Sequence, residues 1–435
     1  MLEGVLQRAH QVAQEAEVFA VERRDEPVLF EANQLKLVER RDTTGVALRL
    51  VKDGRIGFAS TTNLEGVEEL VSNALEMAPF GPVARLEFPT LTSFPTAEVY
   101  DPEVESLPLE EMVHLGQSLI DRVRAHNTEL LCDAQVRREH TTVRLLNSRG
   151  GCASYTESGF SVFIEGTLIR DTDMLFLGDG KSSCRPLLDI ADLEESLARQ
   201  LEYTRQIAPA PVGRVPVVFT PRGVAGALLG PLLAGFNGRA VLQGVSPLVG
   251  KLGEHLLDPK LSLRDDPLIP YATGSRMCDD EGVPSRRVSL IEGGTIASFL
   301  YDLQTAAEAG VESTASAHRS LGSLPSPGTS VIILEEGQTP FQDILADMEE
   351  GLVVERFLGA GQGNTMGGEF SANVLLGYRV EKGKIVGRVK NTLISGNVYT
   401  VLKEVAAVAR ESEWVGGSLK LPALYCRNVA VATKA

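Results

Sequence analysis

GQGNTMGGEFSANVLLGYRVEKGKIVGRVKNTLISGN, residues 361–397, packs glycines, an alternating hairpin and many polar side chains into one short segment. A generic core strand needs far less specification than that. The four residues Glu381, Lys382, Gly383 and Lys384 read as a turn, flanked by strands in which Tyr378/Val380 and Ile385/Gly387 alternate. Gly359, Gly361 and Gly363 follow a strand-like Leu352-Val353-Val354, which brings a dinucleotide-binding fingerprint to mind. The third glycine falls one position early and no helical period follows, so that reading fails.

Working outward, residues 45–60, GVALRLVKDGRIGFAS, form a second hairpin signal. Val46, Leu48 and Leu50 alternate with Ala47 and Arg49, Asp53-Gly54 is a two-residue turn, and Ile56 and Phe58 alternate on the return. Leu2, Val5, Leu6, Ala9, Val12, Ala13 and Ala16 recur at helical spacing, as do Val67, Leu70, Val71 and Ala74 within residues 64–78. Residues 82–108 read as extended and proline-punctuated, with neither period. A helix is expected over 109–124, several antiparallel strands over 130–169 and a helix over 192–206. The stiff IAPAPVGRVP stretch at 207–216 marks a boundary. The chain is therefore expected to be α+β with two domains, 1–206 with helices and an antiparallel sheet, and 214–435 rich in strands, barrel-like, with short helices.

Composition excludes several classes. The formal net charge is −16 at pH 7, from 42 Lys and Arg against 58 Asp and Glu. That balance argues against a nucleic-acid partner, because phosphate contacts require clustered cations. No apolar run approaches the roughly 20 residues needed to span a bilayer, and the first helix carries acids where a targeting segment would be basic and greasy. A cytoplasmic location without membrane attachment is expected. Cys132, Cys152, Cys184, Cys278 and Cys426 include no C-x-x-C pair and leave an odd count, as fits reduced thiols.

Gly361, Gly363, Asn364, Gly368, Glu369, Phe370, Ser371, Gly377, Tyr378, Glu381, Gly383, Lys384, Ser395, Gly396 and Asn397 stand in an order that resembles the C-terminal signature of the TldD/PmbA family, the modulator-of-gyrase or TldD/TldE proteases. Asp279-Asp280-Glu281-Gly282, then Leu290-Ile291-Glu292, Gly294 and Leu300-Tyr301-Asp302, is similar to a loop and hairpin of that family, and the 45–60 hairpin is similar to its N-terminal one. The resemblance covers nearly the whole chain. One branch of the family carries H-E-x-x-x-H on a helix, two His ligating zinc and the Glu activating a water. By order, the two His positions here hold Gly230 and Gly235 and the Glu position holds Pro231, none of which binds zinc or moves a proton. The family's cysteine ligand corresponds to residues 413–418, EWVGGS, which has no thiol; Cys426 lies in an apolar run and reads as core. If the 226–235 segment is helical, Pro231 should kink it or start a new turn.

Other constellations are weak. Residues 244–252, GVSPLVGKL, have one residue too many for a phosphate-binding loop and lack its hydroxyl. There is no G-x-S-x-G. Among six scattered histidines only His318 stands apart, because the segment with Arg319 resembles one near the family's protease cleft; the other reading is a solvated loop. Asp279, Asp280 and Glu281 are explained by a glycine-ended turn. Asn364 and Glu369 either face substrate or partner, or hold an unusual backbone angle and cap locally.

The resemblance thus implies a TldE/PmbA-type subunit with no catalytic and no metal-binding residue of its own. It would be part of a zinc metallopeptidase for peptides or unfolded chains, in which a TldD-type partner holds the zinc. Peptidase activity is expected only in that complex. His318, Arg319, Asn364, Glu369 and Asn397 are the candidate substrate- or partner-facing residues. Alone the chain is expected to form a homodimer through the apolar segments 372–377 and 424–431. The alternatives are a stand-alone peptidase with an unrecognised site and a homodimeric peptide-binding module without activity.

Overall fold

The computed structural model describes residues 1–433 apart from Glu68, Thr172 and Gln362. Glu68 falls within the expected 64–78 helix and Gln362 within the glycine-rich run, so both lie outside the described residues. The fold is α+β, as expected. Seven strands, β1 (Glu15–Glu31), β2 (Gln34–Val38), β3 (Arg41–Lys52), β4 (Arg55–Thr61), β5 (Leu131–Asn147), β6 (Cys152–Arg170) and β7 (Asp173–Ser183), form one antiparallel sheet. Its order is β4-β3-β1-β5-β6-β7, with β2 on β1.

The β3–β4 hairpin turns where the sequence places it. Asp53 and Gly54 both take positive φ, 51° and 73°, the two-residue turn whose twist matches its strands. On one face Ala16, Val18 and Ala20 of β1 and Val46, Leu48 and Leu50 of β3 pack under α1 (Leu2–Val12) and α2 (Glu69–Met77). Farther along, Val28, Phe30, Val136 and Ile164 pack under α4 (Leu109–His126) and α5 (Ala191–Tyr203). The proline-punctuated stretch contains one helix that periodicity missed, α3 (Pro102–Ser106). Asp101 caps it through the Glu103 N–H at 2.9 Å and Pro102 sits in its first turn, where a missing N–H costs nothing.

The second sheet has eleven strands. They are β8 (Gly213–Phe219), β9 (Leu263–Asp265), β10 (Val288–Glu292), β11 (Thr295–Ile296), β14 (Ile332–Leu334), β15 (Glu350–Leu358), β16 (Glu369–Glu381), β17 (Lys384–Arg388), β18 (Thr392–Asn397), β19 (Val405–Val415) and β20 (Leu419–Thr433). A separate pair joins β12 (Ala317–His318) to β13 (Ser326–Pro327). Five strands close on themselves, β8-β15-β16-β18-β20 and back to β8, into a barrel. Both faces of these strands are covered, which is why residues 352–354 and 421–426 read as unbroken apolar runs. Leu352 and Val354 join one core while Val353 joins the other, and Leu424 and Cys426 alternate with Ala423 and Tyr425 in the same way.

That coverage corrects one expectation. Residues 372–377 and 424–431 are barrel strands with a neighbour on each edge and mostly buried side chains, so they are not surfaces on which another subunit can dock. A second finding concerns the boundary. The sheets are separate in sequence, yet Val28, Ile164 and Leu197 share one apolar cluster with Val218, Val353, Tyr378 and Tyr425. The two parts pack through a continuous core.

A buried ionic chain joins them at a second place. Glu17 of β1 and Arg49 of β3 are direct cross-strand partners on the face away from α1. Arg49 reaches Glu17 at 3.1 Å and Glu281 at 2.6 Å, and Arg319 reaches the other oxygen of Glu17 at 2.7 Å. All four side chains are at most 2 % exposed. Arg49 also lies over the Phe88 ring at 4.9 Å and Arg319 over Phe19 at 4.0 Å, so both guanidiniums are stacked, and that of Arg49 is forked between two carboxylates as well. The Asp280-Glu281-Gly282 turn exists, with Gly282 at φ 75°. The turn alone does not account for Glu281, whose oxygens take Arg49 and the Leu303 N–H at 2.7 Å.

Removing Arg49 leaves Glu281 buried without its cation and Glu17 with Arg319 alone. Arg49→Leu is therefore expected to lower the unfolding free energy by about 3–5 kcal/mol, read as the urea midpoint at constant slope. Glu281→Gln keeps one accepting oxygen for Arg49, which also retains Glu17, and loses only the acceptor of the Leu303 N–H, so it should cost less; equal losses would show that charge pairing is not what the chain of residues contributes.

Candidate functional site

The closed barrel leaves few free strand edges. Among the described residues β7 of the first sheet pairs with no strand but β6, and β19 of the second with no strand but β20, apart from a bridge of its Ala409 to Thr339. The two edges face each other across a cleft of about 550 Å³, lined also by α5 and residues 270–272. Gly178 sends its N–H away from β6, to Gln200 Oε1 at 3.0 Å, and Cys184 sends its own to the Tyr271 carbonyl at 2.9 Å. Strand alternation gives Gly180 and Ser182 the same orientation; Gly180 spends its N–H on the Asp179 carboxylate and the Ser182 carbonyl lies against Gly417, which leaves the Gly180 carbonyl and the Ser182 N–H directed into the cleft. Across it stand Glu413, Trp414 and Gly417. Lys181 is held by Asp192 at 2.5 Å, and Arg222 bonds Asp179. A strand edge without a second partner strand is a template for an added extended chain, which here would bond the main-chain groups that Gln200, Asp179 and Tyr271 leave unspent.

A second cavity of about 270 Å³ adjoins the first at Ser182 and holds Glu157 beside Arg137, Glu139 and Cys184. Burial, reinforced by Asp280 and opposed by Arg276, pushes Glu157 up to about 7. No sequence motif marks Glu157, Arg222 or the β7 edge; a long strand with glycines at 178 and 180 is the sole local signal.

The residues singled out from sequence do not converge on this cleft. His318 sits in the short β12 and packs under Gly328; its Nε2 lies 2.8 Å from an Arg276 nitrogen and 3.5 Å from Ser330 Oγ. Burial, with Arg276 adding to it, pushes its pKa down to about 3, so the ring is neutral at physiological pH. Arg319 turns inward to Glu17. Asn364 has an ordinary φ of −81° and caps a short turn through the Gly367 N–H at 3.0 Å. Asn397 caps residues Val398–Val401 through the Tyr399 N–H at 3.1 Å and donates to the Gly367 carbonyl at 2.8 Å. Glu369 is exposed, its backbone paired with Asn397 in the barrel.

The segment aligned with the zinc helix is helical in two registers. Val224–Leu229 is a π-helical stretch, and an α-turn starts at Gly230 with Pro231 in its first turn, the new start that proline requires. Gly230, Pro231 and Gly235 carry no donor atoms. A Cβ on Gly235 would lie 2.0 Å from Tyr399 Oη, so the space a ligand side chain needs is filled. The residues present do not fit zinc.

The Glu157 shift has a signed consequence. A carboxyl whose folded pKa is about 7, against about 4.3 unfolded, costs the fold nothing below pH 4 and destabilises progressively as pH rises through 7. Glu157→Gln is expected to raise Tm relative to the parent at pH 8 and to match it near pH 4.5. A gain that is equal at both pH values would show that ionisation is not its cause.

Residues 212–433 match the model of the PmbA/TldA metallopeptidase C-terminal domain, and residues 16–78 match domain 1 of the same metallopeptidases. A metalloprotease of Methanothermobacter thermautotrophicus is 27% identical over 414 residues, 91% of this chain and 88% of that protein. A metalloprotease TldD homolog of Haemophilus influenzae is 27% identical over 389 residues, 85% and 80%. The crystal structure of TldE from Thermococcus kodakarensis superposes with a TM-score of 0.88 over 99% of both chains at 23% identity, a likeness of fold. With the family model covering half of its length and the fold shared from end to end, this chain belongs to the TldD/PmbA family of metallopeptidases.

Proposed function

We propose that this chain is a TldE/PmbA-type subunit without a catalytic centre of its own, which pairs with a TldD-type subunit bearing H-E-x-x-x-H to make a cytoplasmic zinc metallopeptidase for peptides or unfolded polypeptides. The observation that carries the reading is the pairing of a metallopeptidase-family fold with donor-free residues at Gly230, Pro231 and Gly235 and with Tyr399 filling the space beside Gly235. The partner would supply the zinc and the activated water. This chain would supply the β7–β19 groove, which presents main chain and mixed charge to an extended substrate. Recognition through backbone suits unfolded chains, since every residue of an extended chain offers the same groups. The net charge of −16 speaks against a polyanion in that groove.

Two experiments test the proposal. Co-expression with a TldD-type protein is expected to yield a co-purifying complex that cleaves unstructured peptides and stops when a chelator is added, while this chain alone cleaves nothing. Separate elution at micromolar concentration, or a partner equally fast without this chain, would sink the subunit reading in favour of a free-standing binding module. The second restores the motif. Gly230→His, Pro231→Glu and Gly235→His together are expected to give neither stoichiometric zinc by elemental analysis nor hydrolysis, because the third ligand and its supporting shell are missing. The Gly235→His change by itself should cost about 1–3 kcal/mol through its clash with Tyr399.

A further inference from the structure

We propose that a side pocket opening off the β7–β19 groove is a specificity pocket that selects a large apolar side chain, aromatic above aliphatic, from an extended peptide lying in the groove. This rests on the groove reading above and adds a residue preference to it. The pocket encloses about 230 Å³ between Tyr203 of α5, Phe341, Val353 of β15, Tyr378 of β16, Ile385 of β17 and Ala423 of β20. It shares Arg199, Arg222 and Glu413 with the groove, so the two spaces meet along that wall. Its volume lies below the roughly 300–1,000 Å³ of sites for whole small molecules, and it suits a single side chain.

The walls and floor decide which side chain. Tyr203 and Tyr378 stand edge to face, centroids 5.3 Å apart and planes at 71°, and a third ring extends that arrangement favourably. At the floor, Glu355 accepts from the Tyr378 hydroxyl at 2.9 Å and from Gln200 Nε2 at 3.1 Å. Each of its oxygens already has a partner, and burial holds this carboxyl above its ordinary pKa, which weakens it as a counter-ion for a lysine. An incoming carboxylate would meet three acids, Glu355, Glu411 and Glu413, against two cations on the shared wall, Arg199 and Arg222, of which Arg222 is already bonded to Asp179. A polar side chain would therefore lose its water without full repayment, whereas an apolar one loses nothing. Side chains of an added strand alternate, so one residue in two along the β7 edge is directed to the side of the groove where the pocket opens.

The test uses the purified full chain and four fluorescein-labelled peptides of one Ser/Gly host sequence that differ only at a central Phe, Leu, Ala or Lys. Anisotropy titration is expected to give Phe and Leu binding about ten- to a hundredfold tighter than Ala, with Lys no tighter than Ala. Two variants, Ala423→Leu from the buried wall and Ile385→Trp from the partly exposed one, fill the pocket. In whichever of them keeps its fold by Tm, the Phe peptide should fall to the affinity of the Ala peptide while the Ala peptide is unchanged. Equal affinity for all four peptides would overturn the pocket and leave the groove standing. No binding of any peptide would overturn the groove, and the pocket with it. A Phe preference that survives in a folded, filled variant would also overturn the pocket, and if neither variant folds the parent series decides.

Discussion

Four charges with almost no access to water, Arg319, Glu17, Arg49 and Glu281, join the two sheets of this protein. Burial by itself would raise the pKa of Glu17, but Arg319 and Arg49 together hold it below the ordinary carboxylate value. Burial pushes Glu281 up, against the pull of Arg49. The chain of charges alternates in sign and draws two members from strands and two from loops more than two hundred residues away. Apolar contact is tolerant of small slips, whereas a forked guanidinium is not. The ionic chain thereby sets how the loops at 279–283 and 317–321 lie on the first sheet, while the shared apolar cluster carries the bulk of the burial.

That placement has a consequence on the other side of the molecule. With the sheets locked in one relation, the edge of β7 and the far edge of β19 come to face each other and cannot pair directly. Natural sheets hide such edges or close on themselves, and the barrel strands here do close. The main-chain groups left pointing into the cleft, beside Trp414 and the Arg222–Asp179 pair, follow from that geometry. The histidine and asparagines that stand out in the sequence do other work. His318 packs beneath a glycine, and Asn364 and Asn397 close turns around Gly367 and Gly368. The family signature in this chain is largely a set of instructions for folding a barrel rim.

Local features were legible in the sequence where one short-range rule governs them. The Asp53-Gly54 and Lys382-Gly383 turns need positive φ at both positions, and Asp, Lys and Gly at those places carried the signal. The helices at Leu2–Val12 and Leu109–His126 and the new turn at Pro231 followed from period and from proline's missing N–H. The helix Pro102–Ser106 escaped, being too short to display a period and resting on one capping aspartate. The barrel strands read as an interface in the sequence because an apolar run says that a segment is buried and not by what.

The sequence by itself determined the α+β class, the hairpins, the family resemblance and the loss of donor atoms at 230, 231 and 235, since each depends on residue identity at neighbouring positions. Only the tertiary structure decided that Glu17 and Arg49 meet Glu281 and Arg319, that Tyr399 fills the space beside Gly235, and that Arg222 and Glu157 line adjoining cavities along β7. Those juxtapositions join residues far apart in the chain, and nothing in local periodicity encodes them. They come into being when two sheets with mutually complementary faces close on each other.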